Sequence, residues 1–163
     1  MSLGDRRLTG GAEQPMTAPP PISLFLAFIA LVPVLAGTAL VLAADDEQAA
    51  ETIERPTIGW AAAVLCFLGG VRRGLSFRQP GGTMLRDLAD MFTLFVFGTG
   101  GLLLPKPRAA ATSLLLGYAT LGLRDRAAAQ HGEAPSYFAQ LRPVQVLLPL
   151  GSLLALLLRG RKA

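Results

Sequence analysis

The sequence predicts an all-α protein, an integral membrane bundle of five transmembrane helices, on three observations. Of the 163 residues, 52% are hydrophobic and only 16% charged. Mean hydropathy is +0.47, high for a water-soluble globule. Apolar stretches approaching the roughly 20 residues that cross about 30 Å of hydrocarbon recur five times. What lies between them is too short to bury a core of its own. This argues against a cytosolic enzyme, a disulfide-built secreted domain and a nucleic-acid module.

Residues 1–21 carry Gly4, Gly10, Gly11 and the run Pro19-Pro20-Pro21 without apolar periodicity, and they read as a disordered tail. The first span, 22–44, is 23 uncharged residues, with Pro33 expected to kink it. Its length argues against a cleaved signal peptide, whose apolar region is roughly 7–15 residues. Residues 45–55 hold five acids and one base and are expected to form a solvated loop. The second span, 56–77, places Pro56 in a first helical turn and Trp60 at headgroup level. Arg72 and Arg73 near its end belong at the interface or against protein, because arginine at a bilayer centre costs about 2.5–3.5 kcal/mol.

The third span, 85–104, opens with Asp87 and Asp90, so its uninterrupted apolar part is only Met91 to Leu104. Pro105-Lys106-Pro107-Arg108 then forces a hairpin. The fourth span, 109–123, reaches crossing length only if Arg124 and Arg126 extend to the interface. After the polar run 124–142 comes the fifth span, 143–158, and then a basic tail, 159–163. Counting Arg and Lys on alternate sides places nine with the N-terminus and six opposite, which favours a cytoplasmic N-terminus in a bacterial inner membrane, or a matrix one in a mitochondrial inner membrane.

Cys66 and His131 are the only residues of their types. Clustered Cys and His ligands for a metal, haem or iron–sulfur group are therefore absent, and no cofactor is expected. Cys66 lies in an apolar span and His131 in a polar run, so neither suggests a nucleophilic triad. The informative residues fall in two groups. Ala62, Cys66, Gly70 and Gly74 recur every four positions on the second span, a candidate helix-packing face that includes a GxxxG. The alternating topology brings Arg72, Arg73, Asp87, Asp90, Asp125 and Arg142 to one side, a candidate polar belt. It would satisfy itself by Arg–carboxylate pairs, or contact an anionic lipid or a partner subunit.

Two stretches carry a family resemblance. Gly59 to Gly74, GWAAAVLCFLGGVRRG, resembles an apolar helix ending in Ser-Phe-Leu-Gly-Gly, two variable residues, Trp and Gly. Ala134 to Arg142, APSYFAQLR, is similar to a Leu-Pro-x-Trp-Tyr-x-x-Leu-Arg element, with Asp125 near the Asp that closes the preceding helix. Both belong to the domain of unknown function 3429, which includes transmembrane protein 69-like mitochondrial proteins. Arg73 and Tyr137-Phe138 depart from its aromatic pattern. The resemblance covers about residues 56–158 and implies a small multi-helix membrane protein without supplying an activity.

The expected role is non-enzymatic: an accessory or assembly protein of a membrane complex, with the lipid bilayer and a larger complex or a homodimer as partners, and no nucleic acid. The alternative is a small transporter or proton-coupled carrier using ionisable residues at helix ends, Asp90 with Arg72 or Arg73.

Overall fold

The computed structural model describes residues 22, 25, 28–77, 85–130 and 136–159, with side chains for all of these but 75, 125–130 and 136–142. Both tails expected from the sequence, 1–21 and all but Arg159 of 159–163, lie outside the described residues. Every described element is helical: α1 (Val32–Ala43), α2 (Glu47–Ser76), α3 (Leu85–Leu103), α4 (Pro107–Gln130) and α5 (Ser136–Arg159). Chain neighbours pack against one another, α1 closes onto α5, and α2 touches all four other helices. Ala61, Ala62 and Leu65 of α2 are accordingly buried completely, and with Leu114, Tyr118 and Leu121 of α4 they form the middle of the core.

The helices follow local chemistry closely. Pro33 has no N–H to donate, and its ring disfavours helical geometry in the residue before it. The chain is helical at 28 and 29, turns at 30 and 31, and restarts as α1 with Pro33 in its first turn. The expected kink is thus an interruption. The Ala30 carbonyl at the break accepts a 2.8 Å hydrogen bond from Trp60 Nε1 of α2.

The acidic stretch expected as a loop is instead the start of α2. Asp46 caps it, its carboxylate accepting from the backbone N–H groups of Gln48 and Ala49 at 3.3 and 3.1 Å. The following Glu47, Gln48, Ala49, Ala50 and Glu51 are good helix formers with acid at the positive end of the helix dipole. Pro56 consequently lies inside the helix and not at its start. At the Pro105 hairpin α4 begins on Pro107, whose missing N–H is costless in a first turn. Arg55 of α2 donates to the Pro105 carbonyl at 2.6 Å and ties that turn to the bundle.

Among the described residues no helix is long and apolar enough to cross a membrane. The reason is local: α1 has 12 residues, α3 has 19 with Arg86, Asp87 and Asp90 in its first two turns, and α2 carries acids at one end and arginines at the other. The bundle itself is nonetheless apolar outside, with Phe67, Val96 and Leu147 more than 60% exposed.

Close packing rests on glycines, though not on all those the four-residue spacing selects. Ala62 and Cys66 of α2 receive Gly98 of α3, where an added Cβ would lie 3.1 Å from the Ala62 carbonyl oxygen and collide with the Cys66 sulfur. Gly70 and Gly74 are exposed, with open space where a Cβ would go. Helix geometry explains the correction: a step of four residues advances about 40° beyond a full turn, so Gly74 lies about 120° around the axis from Ala62. Gly69, seven residues on and only about 20° away, is the buried one.

Gly98→Leu is therefore expected to destabilise the fold by about 1–3 kcal/mol through overpacking. Gly70→Leu should be neutral or slightly stabilising, since it replaces an exposed helical glycine. Thermal unfolding followed by circular dichroism checks both, and equal losses would refute this assignment of the packing face.

Candidate functional site

Three helix ends meet at one pole of the bundle, and two of them bring the charge their dipoles favour, Arg73 in the last turn of α2 and Asp87 in the first turn of α3. Arg72 and Arg73 close α2, Arg124 lies in the C-terminal third of α4, and Asp87 and Asp90 open α3. Bases near helix C-termini and acids near an N-terminus are each favourable. Arg72, Arg124 and Asp90, one turn or more inside those ends, converge into one cluster.

Asp90 is its centre. The residue is only 9% exposed. Arg72 Nη1 donates to its Oδ2 at 2.8 Å, and Arg124 Nη1 lies 3.2 Å from its Oδ1. Both carboxylate oxygens therefore face a guanidinium, one from α2 and one from α4. The two contacts differ in kind. The Arg72 side chain is 15% exposed and that of Arg124 is 52% exposed, so the first is a largely dry ion pair and the second a solvent-screened one. Arg73 places its guanidinium over the Phe77 ring, 4.4 Å from the centroid.

Of the belt expected from sequence, the structure thus joins Arg72 to Asp90 directly and sets Arg73 beside them. Asp87 is half-buried one turn earlier on α3. Asp125 and Arg142 belong to α4 and α5, and their side chains lie outside the described ones. Arg124, one position before the expected Asp125, is the described contact from α4. Of the expected packing face, Ala62 and Cys66 form a contact seam with α3, whereas Gly70 and Gly74 do not.

Sequence reasoning missed Tyr118. It is fully buried in α4, and its hydroxyl donates to the Ala61 carbonyl of α2 at 2.9 Å. A lone tyrosine within an apolar stretch was the available signal, because a buried phenol seeks an acceptor. A second glycine seam accompanies it: an added Cβ on Gly117 would strike Leu65 and lie 2.8 Å from Phe97 Cβ.

The opposite pole is built from the same rules with the signs changed. Glu47 opens α2 and lies 3.6 Å from Arg159, which closes α5. Glu54, half-buried on the next turns of α2, has its carboxyl pushed above the ordinary value of 4.5 by burial, with Arg159 pulling the other way. Among residues with described side chains, this pole has Arg55, Lys106, Arg108 and Arg159 against Asp45, Asp46, Glu47, Glu51 and Glu54, four bases to five acids. The Asp90 pole has Arg72, Arg73, Arg86 and Arg124 against Asp87 and Asp90, four bases to two acids. Among these described side chains the excess of positive charge is therefore at the Asp90 end. Among the described residues no group of three or more Cys, His, Asp and Glu is placed to hold a metal ion.

The family model described as Protein of unknown function (DUF3429) matches residues 19–158. No curated protein and no solved structure matches the chain.

Two outcomes follow from this geometry. Asp90→Ala should cost about 3–5 kcal/mol by removing the carboxylate from a largely dry ion pair, Arg124→Gln about 1 kcal/mol or less, and the double replacement Arg72→Leu/Asp90→Leu less than Asp90→Ala alone. Chemical denaturation of the four proteins checks this, and a double variant as weak as Asp90→Ala would contradict the pairing. For Glu54, a raised folded-state pKa means that the unfolded chain loses its proton first as pH rises above 4.5, so this group's contribution to stability falls toward neutrality. Glu54→Gln should therefore match the parent near about pH 4 and exceed it in melting temperature near about pH 7.

Proposed function

The chain belongs to the family described as Protein of unknown function (DUF3429), and from that premise we propose that it is a multi-pass membrane protein without enzymatic activity, an accessory or assembly protein of a membrane complex. The observation that carries the reading is the outer surface. Leu40, Phe67, Val96, Leu116 and Leu147, one from each helix, are all more than half exposed. A continuous apolar exterior of this kind is unfavourable in water and ordinary against lipid tails.

The shortfall of each helix taken singly is consistent with this. α2, α4 and α5 are 30, 24 and 24 residues long, or about 45, 36 and 36 Å, so length is sufficient and charge is the obstacle. Arg72 of α2 and Asp90 of α3 lessen that obstacle for their two helices by pairing inside the bundle. Five helices that would insert poorly alone thus share an apolar exterior, with the exposed charges gathered at the two poles. The positive Asp90 pole, the end away from which α1 runs, supports a cytoplasmic N-terminus in a bacterial inner membrane, or a matrix one in a mitochondrial inner membrane.

Two features support an accessory role. Several polar side chains at both poles and in the core engage one another or the backbone: Arg72 and Arg124 with Asp90, Arg55 with Pro105, Tyr118 with Ala61 and Arg159 with Glu47. Such an arrangement holds helices together. The exposed Gly70 and Gly74 meanwhile leave one side of α2 narrow, suited to close approach of a partner helix from a larger complex or a second copy. A proton-coupled carrier working through Asp90 gains no support, because both oxygens of that carboxylate face guanidinium groups.

Purification of the chromosomally tagged protein in mild detergent is expected to recover it from carbonate-washed membranes with a stoichiometric partner identified by mass spectrometry. Gly70→Leu, which leaves the fold intact, should reduce that recovery. Isolation of the protein only as a free monomer would remove the accessory role.

A further inference from the structure

The apolar exterior is not equally tall on opposite sides of the bundle. Ala61 and Leu65 of α2 meet Tyr118 and Gly117 of α4 across the core, so the outward faces of these two helices look in opposite directions. On α4 the exposed Thr112, Leu116 and Leu123 lie between two exposed arginines, Arg108 and Arg124. The uncharged stretch between those arginines, Ala109 to Leu123, is 15 residues or about 22 Å. On α2 the exposed stripe is Pro56, Trp60, Ala63, Phe67, Gly70 and Gly74, with Arg72 and Arg73 half-buried to its side. From Pro56 to the helix end at Ser76 is 21 residues, or about 31 Å. Arg72 and Arg124 reach the same carboxylate, which brings them to one level. The stripe of α2 therefore continues toward the pole past the level at which that of α4 stops.

We propose that the bundle thins the bilayer alongside α4, drawing the leaflet at the Asp90 pole inward to the level of Arg124 and collecting phospholipids with short acyl chains on that side. The proposal rests on the membrane reading above and names the lipid that one face of the bundle selects. Hydrocarbon about 30 Å thick is matched by α2, whereas the span of α4 falls short of it by about 8 Å. Arginine often makes up such a shortfall by extending its charge toward water. Arg124 is prevented from doing so while its Nη1 stays 3.2 Å from Asp90 Oδ1, because Asp90 is itself buried between helices. Tilting the bundle changes both spans by the same factor and leaves their difference in place. An exposed arginine in hydrocarbon is expensive, and thinning the adjacent bilayer costs little per ångström, so the lipid yields.

The test uses the full chain in a Cys66→Ser background, diluted into dioleoylphosphatidylcholine vesicles, with a nitroxide on Leu123→Cys or on Gly74→Cys. Collision with a water-soluble nickel chelate is read by electron paramagnetic resonance, and Leu116→Cys, exposed at the middle of α4, gives the hydrocarbon reference. Gly74 stands nearer the pole than Leu123, so a flat boundary would make it the wetter position. The reverse order is expected, with collision about threefold higher at Leu123→Cys. In mixtures of dimyristoleoyl- and dierucoylphosphatidylcholine, with one lipid brominated at a time, a fluorophore at the same positions reads the neighbouring chains. The short lipid should exceed its bulk share about twofold at Leu123→Cys and match it at Gly74→Cys. Greater wetness at Gly74→Cys, or bulk proportions at both positions, overturns the thinning while leaving the membrane reading in place. Failure of the unlabelled chain to enter any of these vesicles overturns both.

Discussion

A carboxylate buried to about nine-tenths stays in place only if its charge is met, and Asp90 is met from two helices. That requirement sets the relative height of α2, α3 and α4. Arg72 must end its helix level with the second turn of α3, and Arg124 must reach the same level before α4 runs on. Once these ends are aligned, the rest of the packing is in register: Gly98 falls opposite Ala62 and Cys66, Gly117 opposite Leu65, and the Tyr118 hydroxyl opposite the Ala61 carbonyl. Sliding α3 by one turn would move Asp90 about 5.4 Å from its partners and bring side chains against the surfaces that only glycine now fits.

Much of this architecture was legible in composition and spacing. The five apolar stretches correspond to five helices, because sequences of that length and polarity find their backbone hydrogen bonds most readily within a single helix. The convergence of Arg72, Arg73, Asp87 and Asp90 at one pole followed from alternating direction alone. What spacing could not supply was rotation. Ala62, Cys66, Gly70 and Gly74 look equivalent at intervals of four, and only the accumulated drift of a helix with 3.6 residues per turn separates the first two from the last two. The acidic run 45–55 was misread for a related reason. Its polarity marks exposure, which a solvated loop and the solvated first turns of a helix share, and the distinguishing feature was the Asp46 cap.

Tyr118 and Arg124 illustrate a further limit. Both act across the bundle on residues 57 and 34 positions away, Ala61 and Asp90, and such pairings depend on which helices become neighbours. Spacing along one helix contains no information about the element that will face it. The central position of α2, touching every other helix, is likewise a property of the assembly and not of its sequence.

The break before α1 has a consequence for how the molecule can be observed. Trp60, the chain's single tryptophan, donates its indole N–H to the Ala30 carbonyl at that break. Ultraviolet emission from tryptophan therefore arises at one seam, between the interrupted first segment and α2, and is silent about the other helix contacts. The protein carries its own optical reporter of whether that seam is closed.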